Sequence, residues 1–422
     1  MTTVADPPFL VDSHAHLQLD PLFGQIGVAL NNAVTTRVHA IIVNAVCPGV
    51  DWERVETLSS SSLVAQSPLL IPSFGLHPWW IGEMLKATET LPSDSNEAIT
   101  ALCSDIKKQL TQKLIDIPLA GVGECGLDKI IKKTVSLATQ ESLLRCHLEV
   151  AMEYERPASL HCVGAWGRLF DVLMALDAKY RLRTCQDQQE KMGDDPVQAV
   201  PLQRSEGLKF VVVLHSCNKM PLDMCSRFQR LRNIPIYYSF NGKQLDDQVG
   251  KLLAEIPRDN LLIETDSPDQ MPTTISATST TSSTTMASST GTASSINIIS
   301  IPTSRSTAVP ATVAPTHPHT FTSAVITSKQ MTALSAATAS TGITTRSAST
   351  TTSPPLSAPT IIHENVPAVQ SVTFTPLREV CNQPANIVIT CHRVSALLDE
   401  CSSVIANVTT RNAMLVFAGA DF

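Results

Sequence analysis

Eight short apolar runs, each three to seven residues long, recur through the first 263 positions and leave the chain few ways to fold. They fall at 9–11, 40–46, 69–74, 118–123, 158–160, 210–214, 236–240 and 261–263. Most are continuous rather than alternating, as expected of strands buried on both faces of a parallel sheet. Helical patterns lie between many of them. Residues 140–154 put Leu143, Leu144, His147, Leu148 and Ala151 on one stripe, and 166–178 and 246–255 behave similarly. Eight strands alternating with helices over about 260 residues predict an α/β chain folded as a (β/α)8 barrel.

Composition changes abruptly after that region. Residues 271–360 hold 44 Ser or Thr in 90 positions, with Arg305, Lys329 and Arg346 the only charges. Such a stretch buries too little apolar surface to offset the entropy of ordering, so a disordered low-complexity insertion before the last barrel segment is expected. A glycosylated mucin-like stalk would need secretion. The expected organisation is therefore barrel over 1–270, insertion over 271–360, and a linker with helices over 361–422 that returns to the barrel's outer ring. A second, shorter polar stretch at 184–207 reads as an insertion carried on a loop.

The apolar share of 43% excludes wholesale disorder. No stretch reaches the roughly 20 apolar residues that span a bilayer, and residues 1–12 lack the basic and apolar regions of a signal peptide. Eleven scattered cysteines without a C-x-x-C pair suit a reducing compartment. The expected residence is the cytoplasm, with the nucleus also open, and no membrane partner. Net charge is -7. A protein that coats nucleic acid is thereby disfavoured, and any such partner must be held locally.

Polar groups follow the apolar runs in a pattern. The first run leads into Asp12-Ser13-His14-Ala15-His16, and alternate residues of an extended chain point the same way, so two imidazoles can face one point. His77 follows the third run, Glu124 and Asp128 the fourth, His161 the fifth, His215 the sixth, and Glu264 and Asp266 the eighth. Barrel enzymes gather catalytic groups at the carboxyl ends of their strands. Singly, each group is equally a hydrogen-bonded rim residue; as a set they need a common partner. Four histidines with two carboxylates exceed what one tetrahedral ion uses, so a binuclear site follows, with a carboxylate such as Glu124 as bridge. Asp266 is placed to orient an attacking water and accept its proton. No G-x-S-x-G elbow, P-loop or G-x-G-x-x-G stretch offers another chemistry.

Seven motifs together resemble the TatD family of metal-dependent deoxyribonucleases, within the amidohydrolase-like barrels. They are V-D-S-H-A-H at 11–16, G-L-H-P at 75–78, G-E-C-G-L-D at 123–128, P-A-S-L-H-C at 157–162, L-H-S at 214–216, E-T-D-S-P at 264–268 and N-Q-P-A-N-I at 382–387. The resemblance implies two divalent ions (Mg²⁺, Mn²⁺ or Zn²⁺) on His14, His16, Glu124, His161, His215 and Asp266. It makes Glu124 the bridge and His77 an active-site neighbour rather than a ligand. It also implies hydrolysis of DNA phosphodiesters at strand ends or single strands, often 3′ to 5′. The run His215-Ser216-Cys217-Asn218-Lys219 differs from the family's usual aromatic, small residue and Gly. That keeps a same-scaffold hydrolase of small esters, amides or phosphoesters as the alternative. A catalytically silent scaffold built around the Ser/Thr segment is the third class. Lys129, Arg168 and Lys219, with His77, are the candidate substrate contacts, and Trp79 and Trp80 are expected on a mouth loop where they could stack a base.

Overall fold

The computed structural model describes residues 8–61, 66–87, 95–190, 209–272, 360–361, 372–373 and 375–419. Apart from Met271, Pro272 and Thr360, the Ser/Thr-rich segment lies outside these residues, as does 191–207 of the second polar stretch.

Eight parallel strands stand in sequence order: β1 (Leu10–Ala15), β2 (Val38–Asn44), β3 (Leu69–Phe74), β4 (Gly121–Asp128), β5 (Ala158–Val163), β6 (Val212–Leu214), β7 (Ile236–Phe240) and β8 (Leu261–Ile263). Helices alternate with them: α1 (Ile26–Thr35), α2 (Trp52–Ser60), α3 (Pro78–Lys86), α4 (Asn96–Asp116), α5 (Leu137–Glu153), α6 (Trp166–Glu190), α7 (Leu222–Phe228) and α8 (Asp247–Glu255). After the Ser/Thr segment come α9 (Ile387–Leu398) and α10 (Ser402–Ala418). This is the predicted (β/α)8 barrel.

Local chemistry sets the boundaries. The side chains of Ser95, Ser136 and Asp246 accept hydrogen bonds from first-turn amides of α4, α5 and α8, pairing donors the helices leave unmatched. The wall between sheet and helices buries Ile41, Val43, Leu160, Leu214, Tyr238 and Ile263 against Leu144, Leu148, Leu169 and Leu252.

Three readings of the sequence need correction. The first strand runs on through His14, and the fourth begins at Gly121 and continues to Asp128, so both carry polar groups inside the strand. Residues 184–190 belong to α6 rather than to a loop. The returning chain does not simply rejoin the outer ring. Helix α9 does, through Ile387, Val388, Cys391 and Val394, but the end of α10 sits elsewhere. Its Ala413, Met414, Val416 and Phe417 cluster with Val11, Ile42, Ile71, Val213 and Leu262, the inward-facing layer near the strands' amino ends. Helix α10 therefore plugs the barrel floor.

Beta8 and β1 meet through side chains as much as backbone. The Asp12 carboxylate accepts from Thr265 N at 2.8 Å and from Thr265 Oγ1 at 2.5 Å, and Ser13 Oγ donates to Ile263 O at 2.9 Å. Above them Asp266 N donates to His14 O at 2.9 Å and His16 N to Ser267 O at 2.7 Å. Beyond the Ser/Thr-rich segment the chain meets α1 through Thr375 and Asn32, and Asn382 N donates to Pro268 O and its Nδ2 to Thr265 O.

Candidate metal centre

Two irregular strands aim the central side chains. Along β1–β2, Asp12 pairs with Ile41 and Ala15 with Val43, three steps against two. Along β4–β5, Val122 pairs with Ala158 and Cys125 with Leu160, again three against two. Each extra residue is a bulge, which bends the strand and redirects a side chain. The bulges fall at Ser13–His14 and Gly123–Glu124. Glycine makes the second possible: a Cβ on Gly126 would collide with His161 O, and one on Gly75 would lie 2.5 Å from Glu124 O.

Glu124, 2% exposed, is the hub. Its Oε2 lies 3.4 Å from His14 Nε2 and 3.2 Å from His16 Nε2. Its Oε1 lies 2.9 Å from His161 Nδ1, 2.8 Å from His215 Nε2 and 3.4 Å from His77 Nε2. Asp266 Oδ1 stands 3.5 Å from His16 Nε2 and 3.9 Å from His14 Nε2. The structure thus brings all six residues of the expected ligand set to one place, from β1, β4, β5 and the ends of β6 and β8.

The outer nitrogens decide which inner ones carry lone pairs. His16 Nδ1 donates to Asn44 O at 2.7 Å, leaving neutral Nε2 as a donor of electrons. His161 Nε2 donates to Asp128 Oδ2 at 3.4 Å, which frees Nδ1 in the same way. His14 Nδ1 lies 3.1 Å from Ser159 Oγ, with Nε2 inward. His77 is the reverse: its Nδ1 accepts from Trp79 N at 3.2 Å, so neutral His77 carries its proton on Nε2, towards Glu124. That nitrogen donates rather than ligates, consistent with a neighbour's role.

The carboxylates and imidazoles also act on one another's protonation. Burial works against ionised Glu124, but the His215 and His77 imidazoles and hydrogen bonds from His14 and His16 hold its carboxyl well below the usual range. Burial likewise opposes Asp266, and its bond to His16 with the charges of His215 and His14 pulls it down. Burial lowers His14 and His77. It also disfavours charged His16, His161 and His215, yet Asp266, Asp128 and Glu124 raise them.

This donor set fits a divalent cation. Ligand atoms of four overlapping trios, His14–His16–Asp266, His14–Glu124–His215, His77–Glu124–His161 and His215–Glu264–Asp266, lie within 4.8 Å of one another. His14 Nε2 and His16 Nε2 face each other at 3.3 Å, where at most one proton fits between two nitrogens. Buried Glu264 Oε2 and His215 Nδ1 lack hydrogen-bond partners among the described residues. Grouped carboxylates in a dry site are costly unless positive charge joins them.

Other candidates are placed less centrally. Lys129 and Lys219 are exposed just beyond β4 and β6. Arg168 lies on α6 with Nε 3.5 Å from Glu141 Oε2, paired outside the cluster. Trp79 and Trp80 belong to the first turn of α3 rather than to a loop. Trp79 Nε1 donates to Asp128 Oδ2 at 2.6 Å, while Trp80 is half-buried against α4 and α5. Sequence reasoning placed Asp128 and Glu264 among the strand-end polar groups without giving either its own task, and did not single out Ser159 or Ser216. Glu264 Oε1 accepts from Ser216 N at 2.7 Å, and Ser216 Oγ lies 3.1 Å from both Glu264 Oε1 and Asp266 Oδ2. Asp128 and Glu264 sit inside G-E-C-G-L-D and E-T-D-S-P at strand ends, which marks their place but not their partners.

The family described as TatD related DNase matches residues 11–418. The chain belongs to that family. No curated protein matches it. Among solved structures it is similar to an uncharacterized amidohydrolase from Saccharomyces cerevisiae, at 16% identity and TM-score 0.58 over 97% of this chain and 100% of that one. A TatD family hydrolase from Entamoeba histolytica aligns at 15% and 0.54 over 99% and 100%. The TatD homologue YJJV from Escherichia coli aligns at 16% and 0.51 over 97% and 98%. These likenesses establish the barrel, and the family places the chain among hydrolases. Among the described residues no helix is long and apolar enough to cross a membrane.

Proposed function

We propose that this chain hydrolyses DNA phosphodiester bonds, shortening strands from the 3′ end, with two divalent cations held by His14, His16, Glu124, His161, His215 and Asp266. The observation that carries the reading is the division of labour on Glu124. One carboxylate oxygen faces His14 and His16, with Asp266 alongside, and the other faces His161 and His215. A carboxylate so placed would serve both ligand sets.

Bound there, divalent cations would polarise the phosphoryl oxygen and lower the pKa of an attacking water. The chain's own groups supply the rest. Ionised Asp266, with one oxygen near His16 and the other near Ser216 Oγ, orients that water and takes its proton. His77, with its proton on Nε2, presents a donor beside Glu124 at the mouth. Asp128, Asn44 and Ser159 lock the ligating rings in place, which shortens the search for a productive geometry. Lys129 and Lys219 at the rim are the side chains proposed to meet flanking phosphates, enough for a strand end rather than a wrapped duplex.

The test is to incubate purified protein with Mg²⁺ or Mn²⁺ and end-labelled single-stranded and 3′-recessed DNA, with metal content measured on the same sample. Progressive shortening from the 3′ end is expected. Turnover of small esters or phosphoesters alone would replace the DNA reading with the alternative substrate class, and loss of bound metal would remove the site itself.

A further inference from the structure

We propose that Cys103 and Cys146, on the facing sides of α4 and α5, are a disulfide-forming pair that peroxide oxidises reversibly. The site lies outside the metal centre. The two side chains interlock across the helix contact: Cys146 Sγ reaches Cys103 O at 3.4 Å, and Cys103 Sγ reaches Ser142 O at 3.8 Å, one turn before Cys146. Each sulfur lies against the other residue's helix, which sets the two side chains side by side across the contact. The residues share an apolar cluster with Leu102, Ile106 and Leu143, which keeps the helices in register. Across the same contact Lys107 Nζ pairs with Glu149 Oε2 at 2.6 Å, one turn along each helix from the thiols.

The pair is also asymmetric. Cys103 is partly exposed and Cys146 is buried. The hydrogen bond from the Cys146 thiol lowers the Cys103 pKa against the effect of burial, with the Lys107 charge adding to it, while the same bond and burial push Cys146 up. The accessible sulfur is therefore the one that ionises first, the property of an attacking thiol. Most other described cysteines differ: Cys47, Cys125, Cys162, Cys217, Cys225 and Cys391 are buried, and burial raises each of them.

The chemistry balances with hydrogen peroxide as the oxidant. The Cys103 thiolate attacks one peroxide oxygen, the O–O bond breaks, and the leaving hydroxide takes a proton to become water, giving a sulfenic acid at Cys103. The Cys146 sulfur then attacks the Cys103 sulfur. The S–O bond breaks, and the hydroxyl leaves with the Cys146 proton as a second water. Two thiols lose two electrons, and one peroxide becomes two waters. Exchange with dithiothreitol reverses the bond.

The experiment titrates the full-length protein with hydrogen peroxide, blocks free thiols, and maps peptides by mass spectrometry without reduction. A peptide linking Cys103 to Cys146, two hydrogens lighter than its separate halves, should form before any of the other buried cysteines is consumed and vanish with dithiothreitol. Cys146→Ser should instead trap the sulfenic acid at Cys103, captured by dimedone, and Cys103→Ser should abolish both products. Dominant sulfinic acid at Cys103 in the wild-type protein, or linkage of either residue to a different cysteine, would overturn the proposal. So would earlier consumption of any buried thiol. Circular dichroism of each serine variant verifies that the product is lost from a folded chain.

Discussion

Substituting Gln for His147 should make stability less sensitive to acid. His147 is fully buried in α5, where its Nε2 accepts from Leu76 N at 3.0 Å and its Nδ1 donates to Leu143 O at 2.7 Å. Burial, only partly offset by the bond to Leu143, pushes its pKa down to about 4. The folded protein thus keeps this ring neutral where the unfolded chain, with a pKa of 6.5, takes up a proton. The unfolded state binds more protons below pH 6.5, so stability falls as pH drops from there towards 4. A gap of about 2.5 units corresponds to roughly 3 kcal/mol in full, of which about 2 kcal/mol is lost between pH 7 and 5. At pH 7 the variant is less stable by about 1–3 kcal/mol, because the Gln amide does not meet Leu76 N and Leu143 O together as the ring does. Between pH 7 and 5 the wild-type protein should therefore lose about 2 kcal/mol more than His147→Gln. Urea unfolding followed by tryptophan fluorescence across that range, both proteins in the same chelator-containing buffer, measures the difference, since other titrating groups cancel. Parallel stability curves would refute the assignment of His147 as a buried neutral acceptor.

Glu124→Ala and Asp266→Asn should each lower turnover at least about a hundredfold without unfolding the barrel, read by nuclease rate alongside circular dichroism. Near-wild-type rates in either would remove these residues from the chemistry. Asp128→Asn loosens the His161 ring and should weaken metal binding by about 10–100-fold, measured by competition with a chromogenic chelator. Phe417→Ala empties part of the barrel floor and should cost about 3–5 kcal/mol in chemical denaturation while metal stoichiometry is unchanged.

The barrel could be read from the sequence because its walls are apolar on both faces, and apolar continuity marks such strands. The same signal stopped short where polar groups begin. The run 9–11 breaks at Asp12 and 118–123 at Glu124, yet β1 and β4 continue beyond both, since burial there is met by Thr265, by the imidazoles and by Gln140, whose Oε1 accepts from Asp128 N. The convergence of polar groups was legible because most of them follow an apolar run at the barrel mouth. The aim of His14 and Glu124 was not, as it depends on bulges that need a partner strand to define them. Nor were the partners of Asp128 and Glu264, since His161 and Ser216 lie far from them in sequence. Helix α10 reads as an ordinary amphipathic segment, and only the assembled barrel shows that Met414 and Phe417 close its floor.

Asn382 makes a doorway of the place where the chain departs and comes back. Its amide and side chain bind Pro268 O and Thr265 O, the stretch that also carries Asp266, so exit and re-entry share one hinge-post. The barrel's own hydrogen bonds thereby hold the two stretches of chain together beside Asp266, so this corner of the mouth is built from residues more than a hundred positions apart.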